Sequence, residues 1–299
     1  MNSAGAWRDY LPMPFTFLSH QAAVLPLKCA APWLFCGTAL VIGSMAPDLE
    51  YFLYGRPHRT IGHEVLGQFT FCLPLTLLLV WLVTRHLARP LALHVPDCGG
   101  FRLRDYRLLR ERSRSPGYWR AAVRSALVGS FSHLAWDSFT HESGWSVGAL
   151  GYRSLVAFTV LGNELRLYKV LQHGSTLAGA AITVWLLYRI GSRRCLRRWA
   201  GEVPDEPLRP TAASHRALWG LTLAGIACGA ALGLIIDGSP FLPFHPVAPE
   251  LIAFKAVSCG FAGLTLGCIA AERLMCPLPH RQPSLQESER GRAQENALT

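Results

Sequence analysis

At 299 residues, 51% of them hydrophobic and only 16% charged, the chain falls short of the roughly 25% charged residues usual in soluble domains. Its formal charge of +10 is nearly all arginine, 26 Arg against 3 Lys, and the arginines are clustered. These features exclude a pair of soluble domains and point to a polytopic membrane protein.

The opening MNSAGAWRDYLPMPF lacks a basic stretch followed by an apolar core, so a cleavable signal peptide is not expected and the first membrane segment directs insertion. FTFLSHQAAVLPLKCAAP is interrupted by Pro26, Lys28 and Pro32. The next run, 33–46, covers only about 21 Å at 1.5 Å per residue, too short to cross a bilayer alone. Two arrangements follow. One long broken span gives six crossings; a short segment entering and leaving on one side gives five. Uncharged runs at 66–83, 174–188, 217–236 and 256–271 approach the length of a membrane helix, and 121–141 is long enough but carries Arg124, His133, Asp137 and His141. The expected fold is an all-α, polytopic transmembrane helical bundle of five or six membrane helices.

Residues 85–124 hold ten arginines against Asp97, Asp105 and Glu111, and 191–216 hold six against Glu202, Asp205 and Glu206. By the positive-inside rule both connections are cytoplasmic, which implies a multi-pass protein of a cell inner membrane. RLRDYRLLRERSR (102–114) suits anionic lipid head groups; no nucleic-acid recognition fold is visible. The expected organisation is a polar-site membrane domain (1–190), a basic linker (191–216), a transmembrane hairpin (217–271) and a disordered tail (272–299). Glycines at 225, 229, 233, 263 and 267 suit close packing of the hairpin. The nine cysteines show no C-x-x-C pairing and read as small buried hydrophobes.

SHLAWDSFTHESGW (132–145) poses the functional question. His133, Asp137 and His141 recur every four residues, one above another on a helix face. Under the positive-inside topology their outer end meets Asp48 and Glu50 of GSMAPDLEY, His58 and His63 of RPHRTIGHEVLG, and His173 of LYKVLQHGST. Imidazoles with carboxylates make an N/O metal site, and zinc takes both donor types. Ionisable residues inside a membrane segment are costly and functional by default. His–Asp hydrogen bonding between helices is the structural alternative. His20, before an apolar run, is a further candidate ligand.

PFTFLSHQAAVLPL, ALVIGSMAPDLEYFL, HEVLGQFTFCLPLTLLL, GSFSHLAWDSFTHESGW and LYKVLQHGSTLAG resemble, in order, the blocks of the domain-of-unknown-function family 4184, uncharacterised bacterial membrane proteins. The resemblance covers roughly 14–190, and the hairpin adds little to it. More distantly the chain is similar to the inner-membrane metal-dependent hydrolases. Their early His, Pro-Asp, His-Arg…His and His-x-x-x-Asp fall here on His20, Pro47-Asp48, His58-Arg59…His63 and His133…Asp137. RTIGH departs from their Gly-x-Thr-His. The motif order is also similar to that of zinc-dependent phospholipase C.

The expected function is a membrane hydrolase of an ester or phosphoester, using a divalent metal, most suitably zinc. A lipid-linked substrate follows from location alone. The metal ligands would come from Asp48, His63, His133 and Asp137, with His20, His173 and His141. Glu50 or Glu64 would act as general base, and Arg56, Arg59 and Lys169, with Arg153 and Arg166, would meet a phosphate. A divalent-metal transporter and a non-catalytic membrane protein with a structural His/Asp cluster are the alternatives.

Overall fold

A computed structural model of the protein describes residues 16–55, 61–160, 163–201, 208–237 and 249–277. Arg56, His58, Arg59 and residues 278–299 of the expected tail lie outside the described residues.

Helix α1 (Gln21–Ala30) leads away from His20, and α2 (Gly37–Gly43) leads back toward Asp48. His20 and Asp48 end with ligand atoms within 4.8 Å of each other. The pair is therefore a half-length hairpin that enters and leaves at one level, the second of the two arrangements the sequence left open. Lys28, only 5% exposed, closes its turn by donating to the carbonyls of Pro32 and Phe35, which have no helical partner.

After α3 (Leu49–Tyr54) comes α4 (Gln68–His94), one helix with wider, π-type turns at Gln68–Cys72 and Val83–Leu87. Each wide turn stands just before a proline, Pro74 or Pro90. A proline has no N–H for the carbonyl four residues back, and a wide turn absorbs that mismatch. Helix α5 (Pro116–Thr140) starts where its sequence says it should: the Ser115 hydroxyl accepts from the Tyr118 N–H at 3.2 Å and Pro116 occupies the first turn. Then follow α6 (Leu167–Ser192), α7 (Ala212–Asp237) and α8 (Pro249–Leu274). Strands β1 (Val156–Val160) and β2 (Asn163–Arg166) pair antiparallel between α5 and α6, a small hairpin that the sequence pattern does not announce.

Helix α5 is the hub. Cys36 at the start of α2 and Ala39 within it, Val80 of α4, and Tyr118, Ala121 and Ala122 of α5 form one buried cluster; Leu25, Leu186 and Ile190 join α1 to α6 in another. Leu87, Leu218, Cys268 and Ala271 dock the α7–α8 hairpin on α4. Within the hairpin, a Cβ on Gly225, Gly229 or Gly263 would fall 2.3–2.4 Å from a carbonyl oxygen of the facing helix, so the backbones touch as the small-residue spacing implies.

Among the described residues, four helical spans are long and apolar enough to cross a membrane: Gln68–His94, Leu167–Ser192, Ala212–Ile236 and Leu251–Leu274. Helix α5 matches them in length but carries Arg120, Arg124 and Asp137. The outward faces of the spans are bare hydrocarbon, Leu177 being 75% and Ile235 80% exposed. Such a continuous apolar surface is unstable in water and suited to lipid. The chain is an all-α, multi-pass membrane protein. Among its cysteines, Cys36, Cys72 and Cys268 are buried, whereas Cys29, Cys98, Cys228 and Cys276 are exposed. The expectation of buried cysteines thus fails for those four: Cys228 and Cys29 lie on outward faces of α7 and α1, whereas Cys98 and Cys276 lie in the connection after α4 and just past the end of α8, outside the apolar helices.

Candidate metal centre

The centre is built on the last two turns of α5. His133 and Asp137 share one face of that helix, and His133 is fully buried. Close packing of α2 sets the imidazole. Gly43 and Gly129 let the two backbones approach until a Cβ on Gly129 would lie 2.7 Å from the Leu40 carbonyl oxygen. At that approach the His133 Nδ1 reaches the Ser44 carbonyl oxygen at 2.9 Å. A carbonyl only accepts, so in the neutral ring Nδ1 carries the proton and Nε2 turns a lone pair into the cluster. This backbone-to-imidazole arrangement is how metal-binding histidines are oriented.

Three further elements converge there. Asp48 ends a single tight turn, Ala46–Asp48, opened by Pro47. His20 precedes α1 and stacks on His133 with ring centroids 4.1 Å apart. His63 sits in a loop clamped from both sides. The buried Glu50 accepts the N–H groups of Ile61 and Gly62 at 3.1 Å each, and Gln68 Nε2 donates to the carbonyls of Gly62 (2.8 Å) and Glu64 (2.9 Å).

The separations are informative. His63 Nε2 lies 3.3 Å from Asp48 Oδ1 and 3.9 Å from Asp137 Oδ2; His133 Nε2 lies 3.6 Å and 3.5 Å from the same two atoms. His20 Nε2 is 3.8 Å from Asp137 Oδ1. N–H···O hydrogen bonds cluster at about 2.7–3.2 Å. Two donor atoms each 2.0–2.2 Å from one tetrahedral zinc are about 3.3–3.6 Å apart. Most of these contacts fall in or near the second range, not the first. The 3.3 Å contact of His63 lacks hydrogen-bond alignment, so both its ring nitrogens, the His133 Nε2 and the His20 Nδ1 are buried without a hydrogen-bond partner. Two groups have ligand atoms mutually close enough to hold one ion: His20, Asp48 and His133, and His63, His133 and Asp137. They share His133, whose other nitrogen is committed to Ser44.

The remaining candidates stand apart from those two groups. His141 caps α5, with Nδ1 3.5 Å from Asp137 Oδ1 and Nε2 3.3 Å from the Gln172 amide, a place beside the cluster. His173 is exposed on α6, because α6 turns Gln172 rather than its neighbour toward α5. Glu64 is exposed. Glu50 spends both oxygens on the His63 loop. Lys169 is half-buried on α6, and Arg166 pairs with Glu142 at 3.3 Å, while Arg153 donates to the Glu142 carbonyl. Three supporting groups are not evident from the sequence: the Ser44 carbonyl, Gln68 and Gln172. Only Gln68, a buried amide at the start of an apolar run, leaves a signal that can be followed.

The fold and this centre define a class: a membrane helical bundle with buried His/Asp groups that could hold a metal ion. The family model described as Domain of unknown function (DUF4184) matches residues 13–271, and the chain belongs to that family. The match runs through the α7–α8 hairpin, so the hairpin is part of the family's pattern and not an addition to it. No curated protein and no solved structure matches the chain.

Proposed function

We propose that this protein is a zinc-type metal-dependent hydrolase acting on an ester or phosphoester carried by a lipid. The observation that carries the reading is the set of buried imidazole nitrogens, on His63 and His133, that face Asp48 and Asp137 at 3.3–3.6 Å without forming hydrogen bonds, at the spacing of two donors on one zinc. His63, His133 and Asp137 would hold the ion, with Asp48 and His20 as the adjoining wall. Three protein donors are the number catalytic zinc sites use, leaving one position for water. A bound zinc ion supplies an electrophile and a water whose pKa falls to about 7. The chain's own part is to orient His133 through Ser44, to fix His63 through Glu50, and to keep bulk water from the Asp137 side. Asp48 can then take a proton from the attacking water, a role the sequence assigned to Glu50 or Glu64.

A lipid-borne substrate suits the surroundings. Trp145 and Leu150, just past the end of α5, are 71% and 66% exposed, an apolar collar of the kind found at membrane interfaces. Lys169, with Arg153 and Arg166, supplies positive charge in the same outer connections; Arg56 and Arg59 precede His63 in sequence. The arginine-rich connections would face the cytoplasm, with the centre toward the opposite face of an inner membrane.

The test is metal content of the detergent-purified protein, for wild type and His133→Ala/Asp137→Ala. One transition-metal ion per chain, absent from the double variant, together with turnover in a phosphoester and ester screen, is the expected result. A folded protein that takes up no zinc would leave the cluster as a helix clamp and end the hydrolase reading.

A further inference from the structure

We propose a second ligand site at the other end of the bundle: a pocket for one anionic phospholipid, its acyl chain in an apolar cavity and its phosphate on the surrounding arginines. The cavity measures about 600 Å³, a volume typical of small-molecule sites, which run from about 300 to 1,000 Å³. Leu25 of α1, Ile42 of α2, Tyr118 of α5, Ile190 of α6 and Trp199 form its walls. Tyr118 precedes His133 by fifteen residues on one helix, about 22 Å at 1.5 Å per residue. The pocket is therefore separate from the His/Asp centre and does not depend on the hydrolase reading.

Two features identify the occupant. The walls are apolar, and apolar cavities hold water poorly, whereas a bilayer brings acyl chains to the opening. The rim is cationic. Ser115 and Gly117 line the mouth beside exposed Arg114 and Arg120, and Leu196 and Trp199 bracket exposed Arg197 and Arg198. Lys28 adds a charge within the wall, its ammonium 4.7 Å from the centroid of the Trp199 ring. Among the described residues, Asp105 pairs with Arg197 at 3.0 Å, Glu272 is shared by Arg89 and Arg110, and Asp97 accepts the Arg104 N–H, while the two basic connections together hold sixteen arginines against six acids. A phosphate complements that excess, and basic segments next to membrane helices attract anionic lipid. A zwitterionic head group carries no net charge to match it.

The experiment is native mass spectrometry of the full chain from mixed phosphatidylglycerol and phosphatidylcholine micelles. Wild type should retain one phosphatidylglycerol per chain under activation that strips phosphatidylcholine. Thr38→Trp, which fills the cavity, should lose the adduct, and Arg114→Glu/Arg120→Glu should lose the preference for the anionic lipid. A second measurement needs no cavity-filling variant. In nanodiscs, where bromine on either lipid quenches the lipid-facing tryptophans, the part of the quenching that Trp199→Phe removes should appear with acyl-brominated phosphatidylglycerol and not with brominated phosphatidylcholine. Absence of a retained lipid in wild type, equal retention of the two lipids, an adduct that survives in folded Thr38→Trp, or phosphatidylglycerol quenching that Trp199→Phe does not reduce would each overturn the proposal.

Discussion

Glu50 and Glu64 look equivalent in sequence, two acids near a histidine, but their surroundings differ. Glu50 is 1% exposed and accepts two backbone N–H groups, whereas Glu64 is exposed. In Glu50→Gln one of those N–H groups must face an amide N–H, leaving a buried donor unpaired at a cost of about 1–3 kcal/mol. The His63 loop shifts as a result, and metal affinity should fall about 10–100-fold, as it does when groups that orient ligands are lost. Glu64→Gln should leave affinity unchanged, and zinc titration of both variants checks the pair. His63→Ala should remove metal binding while the melting temperature changes little, because His63 is on a loop and not in a helix interface. Retention of wild-type affinity in that variant would move the ion to the His20, Asp48 and His133 group. At this scale the sequence is readable where periodicity applies: His133 and Asp137 are four apart on one helix. Ser44 is not readable, since a main-chain carbonyl has no residue type to announce it.

Helices are legible to different degrees for identifiable reasons. The apolar run at 66–83 marks α4 but not its end, because the helix continues past Arg85 and Arg89, whose long stems let charge leave a helix without breaking it. The α1–α2 hairpin is undecided in sequence because Pro26 and Pro32 suit either a kinked span or a turn, and only packing chooses. The strands around residues 156–166 escape notice because two short strands carry too few residues to show a period. Packing of α2 on α5 gives the test at this scale. Gly129→Leu would drive a side chain into the Leu40 carbonyl and the Ser44 amide nitrogen, both 2.7 Å from where a Cβ would stand. Overpacking of this kind costs about 1–3 kcal/mol and would pull Ser44 from His133. Thermal unfolding in detergent should occur at a lower temperature, and metal should be lost together with it. Gly117→Ala, at a position open to space on the same helix, should change neither.

Over the whole molecule, the two ends of the bundle hold different chemistry and should fail independently. One end gathers His20, Asp48, His63, His133 and Asp137. The other joins helices through charge, where Glu272 of α8 meets Arg89 of α4 and Arg110 of the neighbouring connection. All three side chains are largely buried, at 21%, 15% and 16% exposure. Removing the carboxylate leaves two guanidinium groups facing each other without the counter-charge they share, which is worse than losing an attraction. Glu272→Ala should therefore lower stability by about 2 kcal/mol. Arg110→Ala in that background should restore part of the loss, because one of the two opposed charges is gone. Zinc content should stay at the wild-type level in both variants, since the affected contacts lie at the far end of α4 from His63. Thermal unfolding of the wild type, the two single variants and the double variant measures the coupling. A strictly additive cycle would mean that the hairpin is held by Leu87, Leu218, Cys268 and Ala271 alone. Loss of zinc in Glu272→Ala would mean that the ends are coupled through α4 and that the hairpin helps to shape the centre.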